Sequence, residues 1–257
     1  MSFRGQVALV TGGGSGIGAA TCRLLAGRGA AVLVADLNEA AAATAARQIT
    51  DAGGRAAPFR MDVAEEPEAA AAVRLAEEQF GPLTIAVCNA GITDRAPAIE
   101  MTRMAFERIL RTNLTGCFVS AQAAARAMVA HRKGGSIVTI SSISGQFGGT
   151  GRAAYGASKG GIINLTRVLA MEWACHDIRV NCVAPGPTQI ARTAHGPRQR
   201  QAFLSHMAMK RYAEADDIAR GVAFLCSADA SFVTGHVLNV DGGFAAAGVL
   251  YDPVEGD

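Results

Sequence analysis

The chain has 257 residues, of which 50% are hydrophobic and 18% charged, with a formal net charge of +2. That composition supplies one large buried core and fits a single domain, whereas a near-neutral, scattered charge leaves no footprint for nucleic acid. The six cysteines form no C-x-x-C pair and no His/Cys cluster at zinc spacing, so they read as buried thiols of a reducing cytoplasm, with no metal site.

The opening Met1–Gln6 runs into a short apolar strand, Val7–Val10, without the h-region of a signal peptide. No later apolar stretch reaches bilayer-spanning length, so a soluble, cytoplasmic protein is expected. The strand ends in Thr11-Gly12-Gly13-Gly14-Ser15-Gly16-Ile17-Gly18, ahead of the helical run Ala19–Ala26. Glycines between strand and helix permit a tight turn and let backbone N–H groups meet a pyrophosphate at the helix N-terminus. The second strand, Ala31–Ala35, leads to Asp36, whose carboxylate suits the adenosine ribose hydroxyls and repels a 2′-phosphate. Leu37 and Ser15 are neutral, so no cation stands ready for that phosphate and NAD is expected over NADP. A plain acid at a helix N-terminus is the structural alternative for Asp36.

Asn38–Ala52 and Ala64–Phe80, rich in Ala, Glu, Gln and Arg, read as helices on either side of a third strand, Ala56–Met61. Asp62 and Val63 follow that strand, and Asp62 either meets the adenine amino group or caps the next helix. A fourth strand, Leu83–Cys88, precedes Asn89-Ala90-Gly91, which is either a small-residue passage beside a cofactor or a simple turn. Further strands are expected at Ser136–Ile140, just before Ser142, and at Ile178–Ala184 and Val237–Val240. Val/Ile strands without polar alternation, separated by helices, predict an α/β fold over residues 1–257. It is a Rossmann-like doubly wound parallel sheet of about seven strands with helices on both faces.

Tyr155-Gly156-Ala157-Ser158-Lys159 opens a helical segment, and the Y-x-x-x-K spacing puts Tyr155 and Lys159 on one face. A phenol that normally titrates near ~10 is a poor base at neutral pH. An ammonium one turn away favours its phenolate, and Ser142 can hydrogen-bond the reacting oxygen. The stretch from Pro187 to about Arg211 breaks the strand–helix rhythm and reads as a substrate lid without a strand.

With the T-G-x-x-x-G-x-G loop at Thr11–Gly18, Asn89–Gly91, Ser142 and Tyr155–Lys159 in this order, the chain resembles the short-chain dehydrogenase/reductase family over nearly its whole length. The resemblance implies a catalytic set of Asn113, Ser142, Tyr155 and Lys159. In it Asn113 holds a water in a proton relay and Lys159 binds the nicotinamide ribose. It also implies an NAD(H) site formed by Gly12, Ser15, Gly16, Ile17, Gly18, Asp36, Asp62, Val63, Asn89, Ala90, Gly91, Tyr155 and Lys159, with Pro185 and Gly186 against the nicotinamide. One position departs: where family members often carry a Thr for the nicotinamide carboxamide stands Ile190, with Thr188 as the candidate substitute.

The expected activity is NAD-dependent interconversion of a secondary alcohol, such as a sugar or polyol, and its ketone. A 3-oxoacyl thioester reductase is the alternative, and a catalytically silent dinucleotide-sensing protein the alternative of another class. Ser142, Gln146 and Tyr155 are the expected substrate contacts. Phe147, Thr93, Arg95, Gln189 and His195 stand beside the same loops. The resemblance further implies a homotetramer, with the tail Leu250–Asp257 reaching a neighbouring subunit.

Overall fold

The computed structural model describes residues 1–191, 193 and 195–248. The chain alternates as the sequence pattern demands: β1 (Val7–Thr11), α1 (Gly16–Gly27), β2 (Ala31–Asp36), α2 (Glu39–Asp51), β3 (Arg55–Arg60) and α3 (Glu66–Phe80). Then come β4 (Ile85–Cys88), α4 (Arg103–Leu110), α5 (Gly116–His131), β5 (Gly135–Ile140), α6 (Ala153–Trp173) and β6 (Ile178–Pro185). The last part holds β7 (Thr188–Gln189), α7 (Pro197–Ser205), β8 (Ala213–Glu214), α8 (Ala215–Cys226) and β9 (Val237–Val240).

Seven of these strands form one parallel sheet in the order β3-β2-β1-β4-β5-β6-β9. The period-2 geometry of a strand divides its residues between two cores. Val7 and Leu9 of β1 pack with Ala72 of α3 and Ala121 of α5, whereas Ala8 and Val10 pack with Leu25 of α1 and Val222 of α8. Both faces are covered, which is why the strands carry no polar alternation. The order runs outward from β1 to β3 and resumes on the other side at β4. The carboxyl ends of β1 and β4 therefore bound the crevice where such sheets bind ligands.

The segment 187–211 differs from its expectation. Thr188–Gln189 pair with Ala213–Glu214 in a small parallel ladder, and α7 occupies Pro197–Ser205. A two-residue strand shows no periodicity, and α7 buries none of its residues, so neither has an apolar pattern to read. Its start does carry a signal, Gly196 as N-cap followed by Pro197. Arg192, Ala194 and the tail Leu250–Asp257 lie outside the described residues. No described helix is long and apolar enough to cross a membrane.

The last strand depends on a polar anchor in β6. The half-buried Arg179 guanidinium donates to the carbonyls of Leu225 at 2.9 Å, Ser227 at 3.2 Å and Val233 at 3.3 Å. Asn181 donates to Val233 at 2.7 Å and accepts the His236 N–H at 3.0 Å. Arg179→Leu takes one of two donors from each carbonyl, since Leu225 keeps Ser136, Ser227 keeps the Ala230 N–H and Val233 keeps Asn181, and is expected to cost about 1–2 kcal/mol in urea unfolding. A loss below ~0.5 kcal/mol would show that water satisfies them equally well.

Candidate active site

The two loops across the crevice are clasped together. Thr11 Oγ1 accepts the backbone N–H groups of Asn89 and Ala90 at 3.0 and 3.2 Å. Asn89 Nδ2 donates back to the carbonyls of Thr11 and Gly12 at 2.9 and 3.1 Å. Gly12 has φ +63, and a Cβ there would lie 2.9 Å from Ala90 Cα. A Cβ on Gly18 would stand 2.0 Å from the Gly12 carbonyl oxygen. Asn89 and Ala90 thus brace the glycine loop, while Gly91 borders the cavity described below. Helix α1 starts at Gly16 behind Ser15, whose side chain makes no capping bond, and its first turn holds no acid. Uncapped N–H groups at a helix N-terminus, with glycines that keep Cβ atoms out of the way, fit a pyrophosphate.

Asp36 joins this loop to the end of β2, accepting the Gly14 N–H at 3.0 Å and the Asn38 N–H at 3.0 Å. Asn38, whose side chain accepts the Ala41 N–H, is the N-cap of α2, so Asp36 stands outside that helix. Each carboxylate oxygen keeps a lone pair for a ribose hydroxyl. The arginine in register with Asp36, Arg60 of β3, is held by Glu68 at 2.8 Å. Asp62 Oδ1 accepts the Ala64 N–H at 3.0 Å and Oδ2 meets Arg111 at 3.5 Å. It closes the turn before α3, whose N-cap is Glu65. Val63 is buried, its side chain where a Cβ on Gly116 would come within 2.5 Å.

Helix α6 carries Tyr155 and Lys159. Lys159 is only 4% exposed; its Nζ donates to the Ile140 carbonyl at 2.7 Å and lies 5.7 Å from the Tyr155 ring centroid. Ser142 is buried at the end of β5 and accepts the Ser144 N–H at 3.1 Å, which leaves its own O–H as a donor. Asn113 lies in a π-helical turn, Arg111–Thr115, between α4 and α5. Such widened turns are frequent at functional sites. Its amide donates to the Ile92 carbonyl and to Ser158 Oγ, both at 3.0 Å, and accepts the Ile92 N–H at 2.8 Å. Both amide N–H bonds are spent, so a water at this residue would have to be held by a carbonyl oxygen.

Ser142, Tyr155 and Lys159 line a cavity of about 450 Å³ together with Ile17, Gly91, Pro185, Gly186, Thr188 and Ile190. Thr188 Oγ1 donates to the Gly186 carbonyl at 3.0 Å and so can only accept from a ligand. Ile190 packs toward Gly16, its side chain 3.5 Å from where a Cβ would be. Thr93, Arg95 and His195 also line this cavity, as expected from their loops, and Phe147 lines a second one of about 420 Å³ next to it. Gln146 and Gln189 line neither; Gln146 turns away to Asn239, donating to its side chain at 2.6 Å.

Sequence reasoning missed Arg152, Phe203 and Phe244. Arg152 is the N-cap of α6 and lines both cavities. It donates to Thr93 Oγ1 at 2.5 Å, and its guanidinium lies 5.2 Å from the Tyr155 ring centroid. Its i, i+3 spacing to Tyr155 was the available signal. Burial, and then the charge of Arg95, push its pKa down. His195 stacks on Phe203 at 5.0 Å and shares a 2.8 Å hydrogen bond with the Tyr212 hydroxyl. Burial, followed by Arg95, Arg152 and Arg200, holds its pKa below the usual histidine value.

This geometry matches a known family. Residues 12–245 fit the family described as enoyl-(acyl carrier protein) reductase. A cis-4-hydroxycyclohexanecarboxylate dehydrogenase of Sinomonas cyclohexanicum is 43% identical, over 95% of this chain and 98% of that protein. A 4-formylbenzenesulfonate dehydrogenase of Comamonas testosteroni is 44% identical, over 95% and 99%. A 3-oxoacyl-[acyl-carrier-protein] reductase of Thermotoga maritima is 34% identical, over 95% and 99%. A solved short-chain type dehydrogenase/reductase from Mycobacterium marinum superposes with a TM-score of 0.92 at 34% identity, over 96% of this chain and 98% of that one. The chain belongs to the short-chain dehydrogenase/reductase family. It is an oxidoreductase of CH–OH groups that uses a nicotinamide dinucleotide.

The glycine packing gives a direct check. Gly18→Ala must move either helix α1 or the Gly12 carbonyl, at a strain of about 1–3 kcal/mol. Dinucleotide affinity, read by NADH fluorescence titration, should weaken about 10–100-fold while the far-UV spectrum is retained. Unchanged affinity would mean the loop tolerates the shift.

Proposed function

We propose that this enzyme interconverts a secondary alcohol and its ketone with NAD(H), using Asn113, Ser142, Tyr155 and Lys159. The observation that carries the reading is that Ser142, Tyr155 and Lys159 share one cavity wall with Ile17, Gly91 and Pro185-Gly186, next to the clasped glycine loop. Tyr155 removes the hydroxyl proton as general base in oxidation and returns it in reduction. Ser142 donates its O–H to the reacting oxygen and fixes it against Tyr155. Lys159 spends one N–H on Ile140 and keeps two, one for the nicotinamide ribose and one for a proton relay through an Asn113-bound water. Thr188 accepts from the carboxamide N–H₂ in place of the absent threonine at Ile190. The bound cofactor supplies the hydride acceptor, while the protein supplies position and electrostatics.

Asp36 is the ribose ligand and the reason for choosing NAD. The relatives named for ring compounds are 43–44% identical, against 34–38% for those named for acyl thioesters, which favours a compact alcohol over a thioester. The family resemblance extends the reading to a homotetramer in the cytoplasm, with segment 187–211 as the cover of the site.

Tyr155→Phe keeps the ring and removes the proton-transfer group, so kcat should fall about 10²–10⁴-fold with NADH affinity nearly intact. A variant retaining half its turnover would remove Tyr155 from the reaction. Steady-state kinetics also test the cofactor: wild type should prefer NAD, and Asp36→Ser with Leu37→Arg should reverse the preference by replacing a repulsive carboxylate with a phosphate partner. Equal use of NADP by wild type would take Asp36 off the ribose.

A further inference from the structure

Resting on alcohol oxidation at Tyr155, we propose that Arg152 is the specificity residue of this site and that the substrate carries an oxyanion, a carboxylate or a sulfonate, one ring's width from the carbinol carbon. Arg152 stands where the two cavities meet, lining both. It has no carboxylate within ion-pairing distance among the described residues, unlike Arg60, Arg108, Arg111 and Arg211. Asp94, the cavity's own carboxylate, is taken by Arg108 at 3.4 Å and by the Arg95 N–H at 2.8 Å.

A half-buried guanidinium without a counter-charge costs desolvation that no partner in the chain returns. A bound oxyanion would return it. Thr93 fixes one nitrogen at 2.5 Å, which orients the planar fork and leaves its other N–H groups for a bidentate acceptor. Arg95 lines the same cavity, so a second guanidinium adds positive charge beside Arg152.

Position sets the size of the ligand. The Arg152 guanidinium lies 5.2 Å from the centroid of the ring whose hydroxyl does the chemistry, so an anion on Arg152 and a carbinol at Tyr155 belong to one compact molecule. Phe203 lines both cavities, and Phe147 and Phe244 stack edge to face at 6.2 Å in the outer one. In the outer cavity the phenyl rings of Phe147, Phe203 and Phe244 offer an apolar side for a hydrocarbon ring beside Arg152, while Ser142, Thr93 and Arg95 keep the Tyr155 cavity polar.

The test uses full-length enzyme with saturating NAD and cyclohexanols bearing a carboxylate, a sulfonate or the neutral carboxamide. Wild type should favour the anions over the carboxamide about 10–100-fold in kcat/KM, mostly through KM. Arg152→Gln should bring that ratio to near one. Arg152→Lys keeps the charge without the planar fork and should lose several-fold, which covers a glutamine variant that does not fold. In parallel, quenching of enzyme-bound NADH fluorescence by benzoate, benzenesulfonate and benzamide reads recognition without turnover. Binding of either anion, lost in Arg152→Gln, supports the proposal and says which oxyanion the site takes. Equal use of carboxamide and anions by wild type, an unchanged ratio in Arg152→Gln, or no quenching by either anion overturns it. Tyr155→Phe separates the two claims: it should abolish oxidation of all three alcohols and leave the quenching intact, and persistent oxidation would defeat the assignment of Tyr155 alone.

Discussion

The clasp between Thr11 and Asn89 holds the cofactor half of the molecule in register. A parallel sheet that reverses its order between β1 and β4 opens a gap at their carboxyl ends, because each crossover leaves in the opposite direction. Left alone, the glycine loop at that gap would be the most mobile part of the crevice. Four hydrogen bonds between Thr11, Gly12, Asn89 and Ala90 close the gap instead, and Gly12 lets the two backbones meet at a distance no Cβ permits. Asp36 then ties the same loop to β2 through the Gly14 N–H. Three strand ends thereby fix one loop, and the orientation of helix α1 follows from it.

The half of the crevice that carries Tyr155 and Lys159 is organised around α6 by a second set of bonds. Ser141 Oγ donates to the Lys159 carbonyl at 2.7 Å, and Lys159 Nζ returns to the Ile140 carbonyl. Ser158 Oγ donates to the Tyr155 carbonyl at 2.8 Å and accepts from Asn113. Helix α6 is thus stitched to the end of β5 on one side and to the π turn on the other. Side chains held by locked neighbours keep the geometry that proximity catalysis needs, where misplacement by an ångström is expensive.

Legibility follows from how each part is buried. The seven sheet strands were readable because apolar runs covered on both faces leave few other interpretations, and their ends moved by no more than a single residue except at β4. Leu83 is buried and reads as strand, yet its N–H goes to Glu77 Oε1 at 3.2 Å and the strand starts at Ile85. The glycine loop, Asp36 and the Tyr155/Lys159 pair were readable because each needs particular residue types at fixed spacing. The substrate side was less so. Thr93, Arg95 and His195 were found by their place beside the loops, but Gln146 turned out to face Asn239, and Phe203 lies in a helix with no apolar stripe. Arg152 precedes the helix as its N-cap, one turn before Tyr155, so the i, i+4 pattern that marks Lys159 does not include it.

The segment after β6 joins these two halves. Its root is fixed: Thr193 Oγ1 donates to the Thr188 carbonyl at 2.7 Å, and β7 pairs with β8. Ile190, near that root, rests toward Gly16 of the glycine turn. Farther along, His195 and Phe203 pack on Tyr212, Phe203 also meets Phe244 at 6.2 Å, and Arg200 covers the Tyr212 ring at 4.6 Å. One end of the segment therefore touches the glycine turn and the other lines the cavity that holds Tyr155. Because Ile190 borders the glycine turn while Phe203 borders both cavities, the two ends of the segment bear on different parts of the crevice.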